Sequence, residues 1–206
     1  MKTLLILTGP QGSGNHLWSK IFALHPQVNG WRALNSEYWI GHDQEPWVHY
    51  WQNPQDLKHA AWSVSNWHVT SMSVPYMNNG EATVPDFKAF VAGVQGLGYR
   101  AKIGVLGRDR NILNYQETRV RGGATLDQAL AEYSRFAMPT FLSYELLHLY
   151  GKQYLQRIEK ELEFPIDYNN PLLDTILKED TNAKYFHSVG EQPTDKLAKH
   201  ASRKKK

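Results

Sequence analysis

Residues 9–16, GPQGSGNH, set glycines at 9, 12 and 14 around a serine, with an amide and an imidazole directly behind them. Glycines at that spacing let successive backbone N–H groups curl toward one point, and a helix starting just after them adds the positive end of its dipole. Such a nest binds a tetrahedral anion without needing side-chain charge. The plainer alternative is a strand-to-helix turn that holds nothing. A magnesium-nucleotide enzyme asks more of the same loop: a lysine after the last glycine for the terminal phosphates, and a neighbouring hydroxyl for the metal. Asn15 and His16 stand in those two places. Asn15 carries no charge, and imidazole is a poor ligand for a hard cation. Phosphoryl transfer from ATP or GTP is therefore disfavoured. A kinase-like enzyme with a degenerate loop stays as a rival reading, as does a module that keeps the nest without chemistry.

A second group of polar residues surrounds one predicted helix: Arg108, Arg110, Arg119 and Arg121. Arg108 with Arg119 or Arg121 would clamp a phosphate; the plain reading is a solvated basic helix paired with Asp109 and Glu117. The chain has nine histidines but no HExxH and no pair spaced for zinc, so no metal site is expected. Seven tryptophans crowd the first 67 residues. Those in residues 31–67 line an acceptor pocket or fill a core, and both readings stay open.

The elements that must position these groups alternate. TLLILT (3–8) is a continuous apolar run, as expected of a strand covered on both faces. Residues 14–25 read as a helix stopped by Pro26, and 27–60 as irregular with weak helical pieces. A strand is expected over 61–70, a helix over 84–97, and a second buried strand over 100–107. Helices follow at 109–118 and 125–136, a strand at 139–145 and an amphipathic helix at 151–164. This alternation predicts an α/β protein with a central, mostly parallel sheet flanked by helices in three layers. One domain over 1–190 and a charged tail over 191–206 are expected.

In order, these segments resemble the P-loop sulfotransferases. There a strand leads into G-x-P-[RK]-S-G-[TS]-[TS]-x-L, and the next helix ends in L-x-x-H-P-x-V; Gly9, Ser13, Gly14 and LHPQV (24–28) match. YRAKIGVLGRDRNILNYQE resembles the family's second signature, a strand ending in an arginine that binds a 3′-phosphate, and Arg108 falls on it. Tyr144, Glu145, Leu146 and FPID (164–167) match a later strand and helix. The resemblance implies a three-layer P-loop fold and transfer of a sulfuryl group from 3′-phosphoadenosine 5′-phosphosulfate (PAPS) to a hydroxyl or amine. It leaves adenosine 3′,5′-bisphosphate and uses no metal.

It further implies that Gly9, Gly12, Ser13, Gly14, Asn15 and His16 hold the 5′ end of the donor. His16 or Lys20 would add charge, and Asn114 or Gln116 would replace a missing serine at the 3′-phosphate. Two departures stand out. Gly12 lies where the family has a cation, and Ser73, in TSMSVPY, lies where cytosolic members have their base histidine. Three residues remain as base candidates: Glu37, near a catalytic glutamate of related enzymes; His42, which titrates in the useful range; and His68, close to the TSMSVPY segment. For each, the alternative is a surface or hydrogen-bonded core residue.

Bulk properties bound the partners. Net charge is +3, and the final RKKK supplies four positive charges, so the body is near neutral and nucleic acid is not an expected partner. No run approaches the ~20 apolar residues of a membrane span. There is no cysteine, which fits a reducing compartment, and a cytoplasmic location is expected. The expected partner is a small-molecule or glycan acceptor; oligomeric state is left open.

Overall fold

The computed structural model describes residues 2–37, 40–78, 81–121 and 125–179. The elements run β1 (Thr3–Gly9), α1 (Asn15–Ala23), β2 (Val28–Asn29), α2 (Val48–Gln52), β3 (Trp67–Ser73), β4 (Tyr76–Asn78) and β5 (Glu81–Thr83). Then come α3 (Phe87–Gly96), β6 (Arg100–Gly107), α4 (Arg110–Arg121), α5 (Leu126–Tyr133), β7 (Thr140–Ser143), α6 (Tyr144–Tyr150), α7 (Lys152–Leu162) and α8 (Pro171–Lys178). Short 3-10 turns occupy Arg32–Asn35, His42–Gln44, Pro54–His59 and Trp62–Val64.

The protein is α/β, as its alternating pattern predicts. Five strands form one sheet in the order β2-β3-β1-β6-β7, and every pairing in it is parallel. β1 lies at the centre, buried along its whole length. Its alternate side chains feed two cores. Leu5 and Leu7 meet Trp18, Phe22, Leu155 and Ile158 of α1 and α7; Leu4 and Ile6 meet Trp51, Phe87 and Phe90 of α2 and α3. A strand flanked by helices on both faces has no polar side to show, which is why TLLILT reads as unbroken apolar sequence.

The chain lays β2 and β3 to one side of β1 and then crosses to place β6 and β7 on the other. The carboxyl end of β1 is thus a switch point, where open parallel sheets leave a crevice for ligands. Gly9, at that end, is aligned with Ser73 at the end of β3.

Three elements differ from expectation. The strand expected over 61–70 begins only at Trp67, because Trp62–Val64 forms a turn that buries Trp62. The strand expected over 139–145 gives way at Tyr144 to α6, which Ser143 caps by accepting from the Leu146 N–H. α8 lies beyond the last helix expected, that over 151–164. Its start carried a signal: Asn170 caps the helix and Pro171 takes its first position.

Candidate anion-binding site

Local packing makes the loop's glycines obligatory. A Cβ on Gly9 would stand 2.1 Å from Ser13 Oγ and 2.8 Å from Leu106 Cβ. Gly12 and Gly14 adopt φ of +87° and +106°, the left-handed region that L side chains avoid. Ser13 N–H donates to the Pro10 carbonyl at 3.1 Å and tightens the turn. Beyond Gly14, the first-turn N–H groups of the nine-residue α1 have no intrahelical acceptors, as at any helix start.

Polar atoms with no partner among the described residues gather at this turn. Ser13 Oγ, Asn15 Oδ1 and Trp18 Nε1 are all buried and unpaired, with Ser13 at 0% and Asn15 at 5% exposure. Buried polar groups without partners are uncommon and cost about 1–3 kcal/mol each. Three within six residues, around a cradle that a Cβ would fill, fit a loop built for a polar ligand.

Neighbouring strands supply the walls. Asn15 Nδ2 donates to Ser73 Oγ at 3.2 Å, tying the start of α1 to the end of β3. Arg108, just past β6, donates from Nη1 to the Gly12 carbonyl at 2.8 Å. Its guanidinium lies 4.4 Å above the Tyr144 ring. Glu145 staples the two adjoining turns: Oε1 accepts from Asp109 N–H at 2.7 Å and Oε2 from the Ser143 hydroxyl at 3.0 Å. Asp109 in turn caps α4 by accepting from the Asn111 and Ile112 N–H groups.

Residues 9, 12, 13, 14, 15 and 16 therefore sit together by sequence, and Arg108 and Gln116 join them in space. Gln116 is buried, its Cβ and Cγ 3.0 Å from where a Gly12 Cβ would lie. Asn114, two residues earlier on α4, is exposed, and its carbonyl accepts from the Thr118 hydroxyl. The side chains of Arg119 and Arg121 lie outside the described residues, and Arg110 is exposed.

His16 is held toward its neutral form. Its Nε2–H donates to the Ile40 carbonyl at 2.7 Å. Burial holds its pKa below the ordinary value; the Ile40 bond opposes that, and Lys20 adds to it. Its ring packs 5.0 Å from Trp31 and 4.5 Å from His42, centroid to centroid.

This aromatic group brings one of the three base candidates, His42, up to α1. Glu37 is exposed two residues beyond the Arg32–Asn35 turn. His68 is aligned with Leu4, at the opposite end of the sheet from Gly9 and Ser73. Five residues of strand put roughly 16 Å between it and the loop. There it is fully buried, donating from Nε2 to the Ser65 carbonyl at 3.0 Å and accepting at Nδ1 from Asn29 at 3.1 Å. That pattern fixes the neutral tautomer, and burial lowers the pKa. His68 is a pin of the fold.

Most tryptophans fill cores. Trp47, Trp51 and Trp62 belong to the α2–α3 side and Trp18 to the other. Trp31, in a small cluster with Leu34 and Ile40, is in contact with His16. The large cleft, about 1110 Å³ and lined by Phe87, Val91, Ile103, Phe136, Pro139 and Leu162, opens beside the first half of β6. The loop instead adjoins Leu106 and Arg108 at the far end of that strand. The candidate loop thus lies away from this cleft, at the switch point of the sheet.

Sequence reasoning missed Glu45. It is 2% exposed, with Oε2 accepting from Trp47 N–H at 2.7 Å and Oε1 from Ser71 N–H at 3.2 Å. β2 pairs only with Trp67 and His68, so Glu45 serves the β3 edge that β2 leaves uncovered. An acid before Pro46 and Trp47 reads in sequence as a surface turn, and nothing local betrays its burial.

Among the described residues no three His, Asp or Glu side chains form a metal-holding group, and no helix is long and apolar enough to cross a membrane. No protein-family model and no curated protein matches this chain.

Proposed function

We propose that this protein is a sulfotransferase-like enzyme of P-loop type that binds PAPS at residues 9–16 and passes its sulfuryl group to a hydroxyl or amine of a small-molecule or glycan acceptor. The observation that carries the reading is the glycine loop at the carboxyl end of the central strand, with two left-handed glycines and a guanidinium resting on it. The resemblance of residues 1–170 to sulfotransferases supplies the choice of donor.

The donor brings an activated sulfur, whose bond to the bisphosphate breaks as the acceptor oxygen or nitrogen bonds to it. The chain's own contribution is positional and electrostatic. N–H groups of the loop and of the first turn of α1 face the developing negative charge. Arg108 adds a positive charge at the loop, and Asn15, held by Ser73, fixes where the helix begins. His42, packed on His16, is the base candidate that would take the acceptor proton. The side chains of Asn15 and His16 are engaged with Ser73 and Ile40, which weighs against the magnesium-nucleotide rival.

Thermal shift tests the reading. In EDTA, adenosine 3′,5′-bisphosphate at a hundredfold excess over its Kd should raise the Tm by roughly 5–10 °C. ATP should do no better with magnesium than without. No shift with millimolar bisphosphate overturns the assignment, and a shift confined to magnesium-ATP favours the kinase-like rival. Bisphosphate binding without sulfuryl transfer from labelled PAPS across an acceptor panel identifies a non-catalytic module.

A further inference from the structure

The resembled enzymes carry a cation inside the loop, and this chain has Gly12 in its place. Backbone conformation and the neighbouring Gln116 both work against restoring one. At φ +87°, any Cβ would sit 3.0 Å from two carbons of Gln116. A positive charge nevertheless reaches the loop, and it comes from the end of β6. Arg108 Nη1 donates to the Gly12 carbonyl, while Tyr144 underlies the guanidinium. The support beneath it is built from separate elements, since Glu145 ties the turn after β6 to the turn after β7.

We infer that Arg108 is the loop's own cation and meets the anion held by residues 9–16, the 5′ end of a nucleotide, instead of a second phosphate across the ribose. This rests on the nucleotide reading above and reassigns the residue that the resemblance would place on the 3′-phosphate. Its guanidinium already touches the loop, at the Gly12 carbonyl. A neutral carbonyl is a weaker partner for a guanidinium than an anion, whose charge-assisted bond is roughly twice as strong. An entering phosphate or sulfate would therefore draw Arg108 from Gly12 onto itself, and Gly12 loses nothing for having no side chain.

Two nucleotides separate the assignments: AMP carries only the 5′-phosphate, and adenosine 3′,5′-bisphosphate carries both. Each is titrated calorimetrically into the full chain in EDTA. Arg108→Gln should weaken both by the same factor, about 10- to 100-fold. Arg108→Lys keeps the charge without the planar fork and should weaken both equally by a smaller factor, about 3- to 10-fold. The lysine variant also carries the test if the glutamine variant does not fold. Weakened bisphosphate binding with AMP unchanged puts Arg108 on the 3′-phosphate; the inference then fails while the nucleotide reading stands. A wild-type chain that binds the bisphosphate but not AMP overturns the inference as well, because the loop then contributes too little. A wild-type chain that binds neither overturns both.

Discussion

Replacing Gly9 with alanine should destabilise the protein by about 3 kcal/mol, the upper end of ordinary overpacking, and weaken bisphosphate binding about tenfold or more. The added methyl would lie 2.1 Å from Ser13 Oγ and 2.8 Å from Leu106 Cβ. Ser13 can rotate, but Leu106 Cβ is fixed to the backbone of β6, which pairs with β1 from Arg100 to Val105 and with β7 from Gly104 to Gly107. Relief requires β1 and β6 to separate at the end where the loop starts, so stability and binding fall together. Gly96→Ala is the matched control. It closes α3 with nothing within 4 Å of the new methyl, and should be neutral or stabilising by roughly 0.5 kcal/mol. Urea denaturation of both variants checks the pair; a Gly9→Ala protein as stable as wild type would show that the loop is not held as described.

The second large effect concerns Glu45. Burial pushes its pKa up to about 8, against the opposing hydrogen bonds from Trp47, Thr70 and Ser71. The sign follows from linkage. Between 4.5, the ordinary value, and about 8, the folded state holds a proton that the unfolded state has released. The stabilisation is fully present below 4.5 and is lost as pH rises to about 8. The whole excursion is worth up to about 5 kcal/mol. Glu45→Gln imitates the protonated acid and should abolish this pH dependence, matching wild type near pH 4.5 and exceeding its stability by about 3 kcal/mol at pH 7. Glu45→Ala leaves the Trp47 and Ser71 N–H groups without their acceptor and should be about 3 kcal/mol less stable than Glu45→Gln at any pH. Denaturation of the three proteins between pH 5 and 9 decides. If the wild type instead loses stability on acidification relative to Glu45→Gln, the carboxyl is ionised in the fold.

The parts of the site legible in sequence are the local ones. An apolar run into spaced glycines and then a helix is a single covalent stretch, so β1, the loop and α1 follow from adjacent residues. Arg108 was legible because it ends a second buried run. What failed depends on register. His68 and Ser73 are five residues apart in sequence, which suggested a shared neighbourhood, yet extended strand carries His68 to the opposite end of the sheet. Glu45 failed for another reason. Its burial follows from β2 stopping after two residues, and no property of residues 43–47 records where a different strand ends. The turn of Ser143 into α6 was ambiguous because four apolar-rich residues suit either element, and a serine cap followed by Glu145 decides between them.

The central position of β1 bears on how the protein is made. Its partners are β3, whose first residue follows Thr3 by 64 positions, and β6, which follows by 97. At roughly 5–20 residues per second of synthesis, the most apolar segment of the chain waits several seconds before either neighbour exists. Pairings of such long range also make folding slow in vitro. Through that interval the strand that will carry the anion loop is the chain's principal aggregation hazard. Its protection falls to whatever binds extended apolar segments as they emerge, and to α1, the one covering element that is synthesised directly after it.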